Sequence, residues 1–592
     1  MVVMWAFAVT LPLVLSVVIA ATGLWGGDRS ARVRGLVVRG GWVAVLPAAA
    51  ALLLDDGAVH DVPWMLLGTA IRVDAIGLPL GLMAVAVYGL ALAFVVRSKT
   101  GRPHVLMAFL LLCFVGNLGV FVAANVVTFY LAFAAMSFLG YAIVVHDRTD
   151  SARRAGAIYL VLTVFGESAV LAALMFITAD GGWMLADVPA VVAASESRDL
   201  IILLLLIGFG VKAGTVPLHV WLPLAHPAAP SPASAVLSGV MLKAGIVGWL
   251  RFLPLGEAPG EPVWGSIFLG VAIAGGLLAV PVGLLQDNPK VILAYSSIGQ
   301  MGFLTMLVGV ALLAPTLAPA CIAATVVYSV AHGLIKAPLF LGVQAWDSER
   351  LRRWAVAVPL AAASLALAGA PFTAGFVAKY TAKEAVGAVA LFGPLAVPVA
   401  DILPWTAVGS TLLLARFAVV MWRRPREPRA TAWSRDIAWA LLCLGAVVPV
   451  TIAASAFAPP LTLPVWTDPA TLWSQSWPVL LGLAAAGGTA LLAARRRRSR
   501  LLHPRGDIVP PGDIVTAEER AARSILRLGS RGARAVGAAT AKVRAAVVAT
   551  PTPAPIVERA QRRLGGWAAS GVAVLLLLAV ALALAAVSGG WW

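Results

Sequence analysis

Run after run of roughly 20 apolar residues fills this 592-residue chain, and that property alone excludes nearly every fold. Inside a bilayer each backbone N–H and C=O must find its partner within the spanning element, so only helices and closed barrels cross. The runs lack the short alternating pattern of a membrane barrel. The expected fold class is therefore an all-α polytopic membrane protein. A chain that is 61% hydrophobic and 12% charged has no soluble counterpart of this length.

Sixteen spans are expected, at about 3–24, 41–54, 75–96, 105–123, 125–145, 156–178, 200–220, 233–252, 264–285, 291–313, 320–346, 355–386, 403–422, 437–457, 477–494 and 566–588. Basic residues then fall in alternate loops: Arg29, Arg32, Arg34 and Arg39; Arg97, Lys99 and Arg102; Arg148, Arg153 and Arg154; Lys290; Arg350, Arg352 and Arg353; Arg423 to Arg429; Arg495 to Arg498. The opposite loops are mostly acidic or neutral, as at Asp55, Asp56 and Asp61. Basic loops face the cytoplasm, so both termini are expected on the outer side of the cytoplasmic membrane. The first span has no charged n-region and reads as a retained span rather than a cleaved signal. The net charge of +17 thus marks orientation, not nucleic-acid binding.

The stretch 495–565 differs from the rest. Arg520, Arg523, Arg527, Arg531 and Arg534 recur at helical spacing beside Ile525, Leu526 and Leu528, which makes a basic amphipathic helix. It either lies on anionic lipid headgroups or braces the bundle laterally. The three cysteines, Cys113, Cys321 and Cys443, lie in apolar spans without CxxC spacing, so neither a metal site, an iron–sulfur cluster nor a disulfide framework is expected. With no GxGxxG or Walker-type loop either, no cofactor is expected in this chain.

Six ionisable residues interrupt the apolar spans near their middles: Glu167, Lys212, Lys243, His332, Lys336 and Lys379. A charge at the bilayer centre costs about 2.5–3.5 kcal/mol even on the lenient scale, so such residues normally have a partner and a role. Each span rises 1.5 Å per residue, which puts all six near half depth and suggests a row across the membrane plane. A row of this kind suits stepwise proton transfer. Glu167 is also readable as a purely structural partner of Lys212. His332 and Lys336, four apart, share a helix face. His219 and His226 punctuate the proline-broken run after Lys212 and are possible accessory sites. Interruptions are expected at Pro217, Pro223, Pro338 and Pro371.

The segments KAGTVPLHVWLPLAHPAAPSPASAVLSGVMLKAG (212–245), DNPKVILAYSSIGQMG (287–302), HGLIKAPLFLG (332–342) and PFTAGFVAKY (371–380) resemble the antiporter-like proton-translocating membrane subunits of complex I, of Mrp-type cation/proton antiporters and of group 4 hydrogenases. The resemblance covers roughly residues 70–425. It implies two inverted five-helix repeats with broken seventh and twelfth helices. The units would be N-terminal spans at 1–104, half-channel repeats at 105–252 and 264–422, C-terminal spans at 437–494, the basic segment at 495–565 and a final span at 566–592. It also implies roles for the buried row: Lys212 in the broken seventh helix, Lys243 in the eighth, His332 and Lys336 joining the halves, and Lys379 in the broken twelfth. One departure stands out. The family places a glutamate on the fifth helix against the seventh-helix lysine, and here the matching stretch Phe133-Ala-Ala-Met-Ser137 has Ala134 in that place. Glu167, one helix on, is the nearby carboxylate that can substitute.

The expectation is a proton-conducting subunit of a larger energy-converting complex, partnered by other membrane subunits and a soluble enzymatic arm that carries the redox chemistry. An Mrp-type antiporter subunit is the first alternative. A membrane scaffold whose relay is degraded at Ala134 is the second.

Overall fold

A computed structural model describes residues 1–25, 27–96, 101–390, 397–428, 433–496 and 499–515. The basic amphipathic helix and the last span expected from the sequence lie outside these residues. Among them, twelve helices are long and apolar enough to cross a membrane, or thirteen if Arg435–Gly445 and Val447–Ala456, bent by 47°, count as one. The chain is thus a mostly helical, multi-pass membrane fold.

Burial divides the helices into two kinds. The Ser231–Phe252 stretch is wholly buried, and Pro289–Leu313 and Ala318–Ala345 nearly so. The central helices carry Lys243, Ser296, Gln300, His332 and Lys336, polar groups that in a bilayer must face protein rather than lipid. Val2–Trp25 and Pro469–Arg495 are mostly exposed and form the rim. The central helices approach closely through small residues, as membrane helices do without a hydrophobic drive between them. At Gly302 an added Cβ would come 2.7 Å from the backbone of both Ala272 and Gly276.

Two stretches stop as helices and restart. Arg198–Ala213 ends on Gly214, left-handed at φ +72°, and helix resumes at Trp221–Ala228. Its 16 residues span only about 24 Å, short of the roughly 30 Å hydrocarbon core. Arg353–Ala368 ends likewise on Gly369, φ +95°, and resumes at Ala374–Ala385. Carbonyls freed at the first stop are taken up locally: Trp221 Nε1 donates to Val211 O (2.8 Å) and Thr215 Oγ1 to Gly210 O (3.2 Å).

Several expectations need correction. Pro223 and Pro338 do not interrupt. Pro223 sits in the first turn of its helix, where a missing N–H costs little. Pro338 lies inside Ala318–Ala345, and its own carbonyl accepts from Trp439 Nε1 (2.8 Å). Arg29, Arg32, Arg34 and Arg39 sit not in a loop but on the Gly27–Gly40 helix, which continues through Gly41–Val45 into Leu46–Leu54. The fold is also not purely helical, because His60–Val62 pairs antiparallel with Thr69–Ile71 in a small hairpin. Its edge is anchored by Asn125 Nδ2 donating to Gly68 O (2.8 Å).

Candidate functional site

Glu167, Lys212, Lys243, His332, Lys336 and Lys379 are all buried. Among the described residues none of the four lysines has a carboxylate within ion-pair distance. Backbone carbonyls, hydroxyls, rings and one another take the place of acids.

Lys212 is in the last turn of Arg198–Ala213. Its Nζ donates to the Tyr159 hydroxyl (3.3 Å) and stands 5.7 Å from the Tyr159 ring centroid and 6.0 Å from that of Phe133, within cation–π range. Tyr159 in turn donates to Ser137 O (2.8 Å). Glu167, on the Asp150–Ala179 helix with Tyr159, does not touch Lys212 directly. Both line one cavity of about 10 Å³, together with Phe133, Ser137, Tyr159 and Trp221. Glu167 Oε2 and Ser137 Oγ face no hydrogen-bond partner. A volume near that of one water, ringed by unpartnered polar atoms, suits a single bridging water.

Lys243 follows a π-helical turn, Leu237–Met241. Such a turn leaves carbonyls free, and Lys243 Nζ donates to one of them, Ser238 O (2.7 Å). The same Nζ lies 2.5 Å from His332 Nδ1, while His332 Nε2 is buried and unpartnered. Lys336, one turn after His332, donates to Leu293 O (2.6 Å) and to Ser296 Oγ. Lys379 stands apart. It donates to Ala368 O (3.0 Å), a carbonyl freed where the Arg353–Ala368 helix stops.

The two accessory histidines go to different places. His226 is fully buried with neither ring nitrogen bonded, stacked on Phe340 at 4.4 Å, and Lys336 Nζ is 5.9 Å from that same ring. His219 lies in the gap between the two helix pieces, 3.0 Å from the Asp513 carboxylate.

Sequence reasoning passed over Tyr159, Ser137, Ser238, Ser296 and Asp513. Tyr159 had a signal, since it shares a helix with Glu167 two turns away. Asp513 had none, being 294 positions from its partner. Lys290, at the start of the Pro289–Leu313 helix, donates to Ala229 O (2.6 Å) at the end of the Trp221–Ala228 helix.

Residues 123–393 match the family model described as NADH:quinone oxidoreductase/Mrp antiporter, TM. An uncharacterized protein of Mycobacterium tuberculosis is 32% identical over 431 residues, covering 67% of this chain and 66% of that protein. Hydrogenase-4 component B of Escherichia coli is 31% identical over 332 residues, or 51% of this chain and 49% of the relative. The chain therefore spans about two thirds of the first relative's length and half of the second's. The fold matches a chain in the structure of the Mrp complex from a Dietzia species with a TM-score of 0.67 at 21% identity, covering 98% of this chain and 76% of that one. By the matched model and the sequence relatives, the 123–393 part of this chain belongs to the NADH:quinone oxidoreductase/Mrp antiporter membrane family, which makes the chain an antiporter-like membrane subunit.

Proposed function

We propose that this chain is the proton-conducting subunit of a multisubunit energy-converting membrane complex. Protons pass along Glu167, Lys212, Lys243, His332, Lys336 and Lys379. The carrying observation is the contact between Lys243 Nζ and His332 Nδ1, two groups from different helices held 2.5 Å apart in full burial with no acid beside them. A structural lysine would be expected to have a carboxylate partner; this one faces a second proton acceptor. Glu167 and Lys212 extend the row through the cavity they share, and His226 sits one aromatic ring from Lys336.

The reading carries further proposals. The 592 residues hold sixteen spans, ten of them in two inverted five-helix repeats, 105–252 and 264–422, with helices seven and twelve broken. These are flanked by spans at 1–104, 437–494 and 566–592, and both termini face outward. Redox cofactors belong to partner subunits and a soluble arm, and within the basic segment 495–565 the stripe of Arg520, Arg523, Arg527, Arg531 and Arg534 meets lipid headgroups. Charge or conformational change in a partner alters the proton affinity of the row and drives transfer.

A scaffold role is the second reading, supported by Ala134 and by the lack, among the described residues, of an ion pair between Glu167 and Lys212. Vesicles reconstituted with the purified complex distinguish the two. Lys212→Ala, Lys243→Ala and Lys379→Ala each lower proton uptake if the relay works. Unchanged uptake in all three assigns the chain a scaffold role.

A further inference from the structure

Beyond the Pro469–Arg495 helix, residues 499–515 turn back into the bundle as an irregular strap. Arg416 Nη2 donates to Pro504 O (2.9 Å), Gly506 N–H to Leu285 O (3.2 Å), and Gln286 Nε2 to Val509 O (2.9 Å). Gly512 lies so close to Leu224 that a Cβ there would come 3.0 Å from Leu224 Cγ, and its N–H donates to the Tyr295 hydroxyl (3.2 Å). Tyr295 is about 9 Å along the Pro289–Leu313 helix, so the strap reaches well inside the helix ends.

At the tip, Asp513 Oδ2 meets His219 Nε2 at 3.0 Å and accepts from Tyr295 OH at 3.4 Å. Asp513 has a φ of +27°, outside the usual range for a side-chain-bearing residue, and Val515 beyond it is 3% exposed. A plain surface connection has no need of an inserted, conformationally constrained acid. Burial raises the Asp513 carboxyl, but the hydrogen bond and charge of His219 outweigh it and hold the group below its ordinary value. Its partner His219 is 3% exposed and sits in the gap that follows Lys212.

We propose that residues 499–515 are a latch, and that Asp513, by gripping His219, is a positioning residue that fixes the 214–220 gap and with it the end of the helix carrying Lys212. The latch rests on the proposed proton relay only for its consequence in transport; its closure is measurable without any transport.

The test uses the full chain in permeabilised membranes, with Cys113, Cys321 and Cys443 replaced by alanine and Val515→Cys as reporter. A water-soluble maleimide reads how often the strap lifts. Removing a charged hydrogen bond is expected to speed labelling about tenfold in Asp513→Asn. His219→Gln should give the same increase, and the double variant no more than either alone, because both break one contact. Unchanged labelling in Asp513→Asn overturns the latch, and additive effects in the double variant overturn His219 as its partner. Should Asp513→Asn fail to accumulate, His219→Gln alone decides by the same criterion. Proton uptake by vesicles carrying the complex, lowered in Asp513→Asn, then tests the positioning role. If labelling responds but the wild type itself takes up no protons, the relay reading fails and the latch stands.

Discussion

Lys212 and Lys379 both sit beside a helix that stops on a left-handed glycine, yet the two surroundings differ. Lys212 faces two aromatic rings, one of them the Tyr159 phenol to which it donates, and a cavity it shares with a carboxylate, and in the gap after it His219 meets Asp513 of a strap from far along the chain. Lys379 donates to one carbonyl of the helix stop itself and packs its stem against Gly369. The same backbone device thus produces an adjustable surrounding at one end and a closed one at the other. At the Lys212 end, polar atoms without partners leave room for a proton or a water to arrive. At the Lys379 end, moving the ammonium exposes a buried carbonyl, which costs about 1–3 kcal/mol.

The largest effect should come from between the two ends. Lys243→Met removes the group in direct contact with His332 and should cut proton uptake by about two orders of magnitude, as loss of a proton-transfer group does. Vesicle uptake assays measure it. Equal uptake in variant and wild type would separate the two ends into independent sites. Glu167→Gln should have a smaller effect, about tenfold, because the cavity wall, Tyr159 and the rings around Lys212 survive. Wild-type uptake there would refute Glu167 as the substitute for the acid missing at Ala134, and would make the two ends more alike than their geometry suggests.

The glycines allow a stability comparison. Gly214→Ala and Gly369→Ala each force a side-chain-bearing residue into left-handed backbone, a cost of about 1–2 kcal/mol. The added Cβ differs in what it meets. At Gly214 it runs into Leu222 Cδ1, the end of a flexible side chain. At Gly369 it comes 2.8 Å from Lys379 Cδ and pushes the lysine from its carbonyl. Thermal unfolding should therefore show Gly369→Ala to be the more destabilised of the two, and only that variant should also lose uptake beyond what its stability explains.

How much of this was readable beforehand depends on the range of the interaction. The apolar runs dictate the helices, because hydropathy is a property of each segment alone. The burial of the six ionisable residues follows from where they interrupt those runs. Which atoms they touch does not follow, because that depends on how each helix is rotated and where it stops. Pro223 and Pro338 illustrate the limit: proline disfavours helix, yet one sits in a first turn and the other inside a buried helix. The actual stops are at glycines, where backbone conformation rather than a missing N–H decides. The strap was unreadable for a different reason. The stretch 499–515 is neither apolar enough nor periodic enough to announce that it enters the bundle, and only folding brings Asp513 to His219.

The smallest expected effect is a pH dependence confined to the Lys212 half. His146 follows the Val126–Val144 helix, which supplies Phe133 and Ser137 to the cavity. Burial, together with Arg102, Arg148 and His104, lowers its imidazole from 6.5 to about 4, and its Nε2 is buried without a partner. Between pH 6.5 and 4 the unfolded chain takes up a proton there that the folded chain refuses, so stability falls as pH drops through that window and is unaffected above it. From pH 7 to 5.5 the loss should be about 1 kcal/mol. Hydrogen exchange should show it as faster opening of Val126–Val144 at pH 5.5, with little change in Ala318–Ala345, and His146→Gln should abolish the difference. An equal response in both helices would mean that acid loosens the bundle as a whole, and that the two ends are not separable in stability even where their chemistry differs.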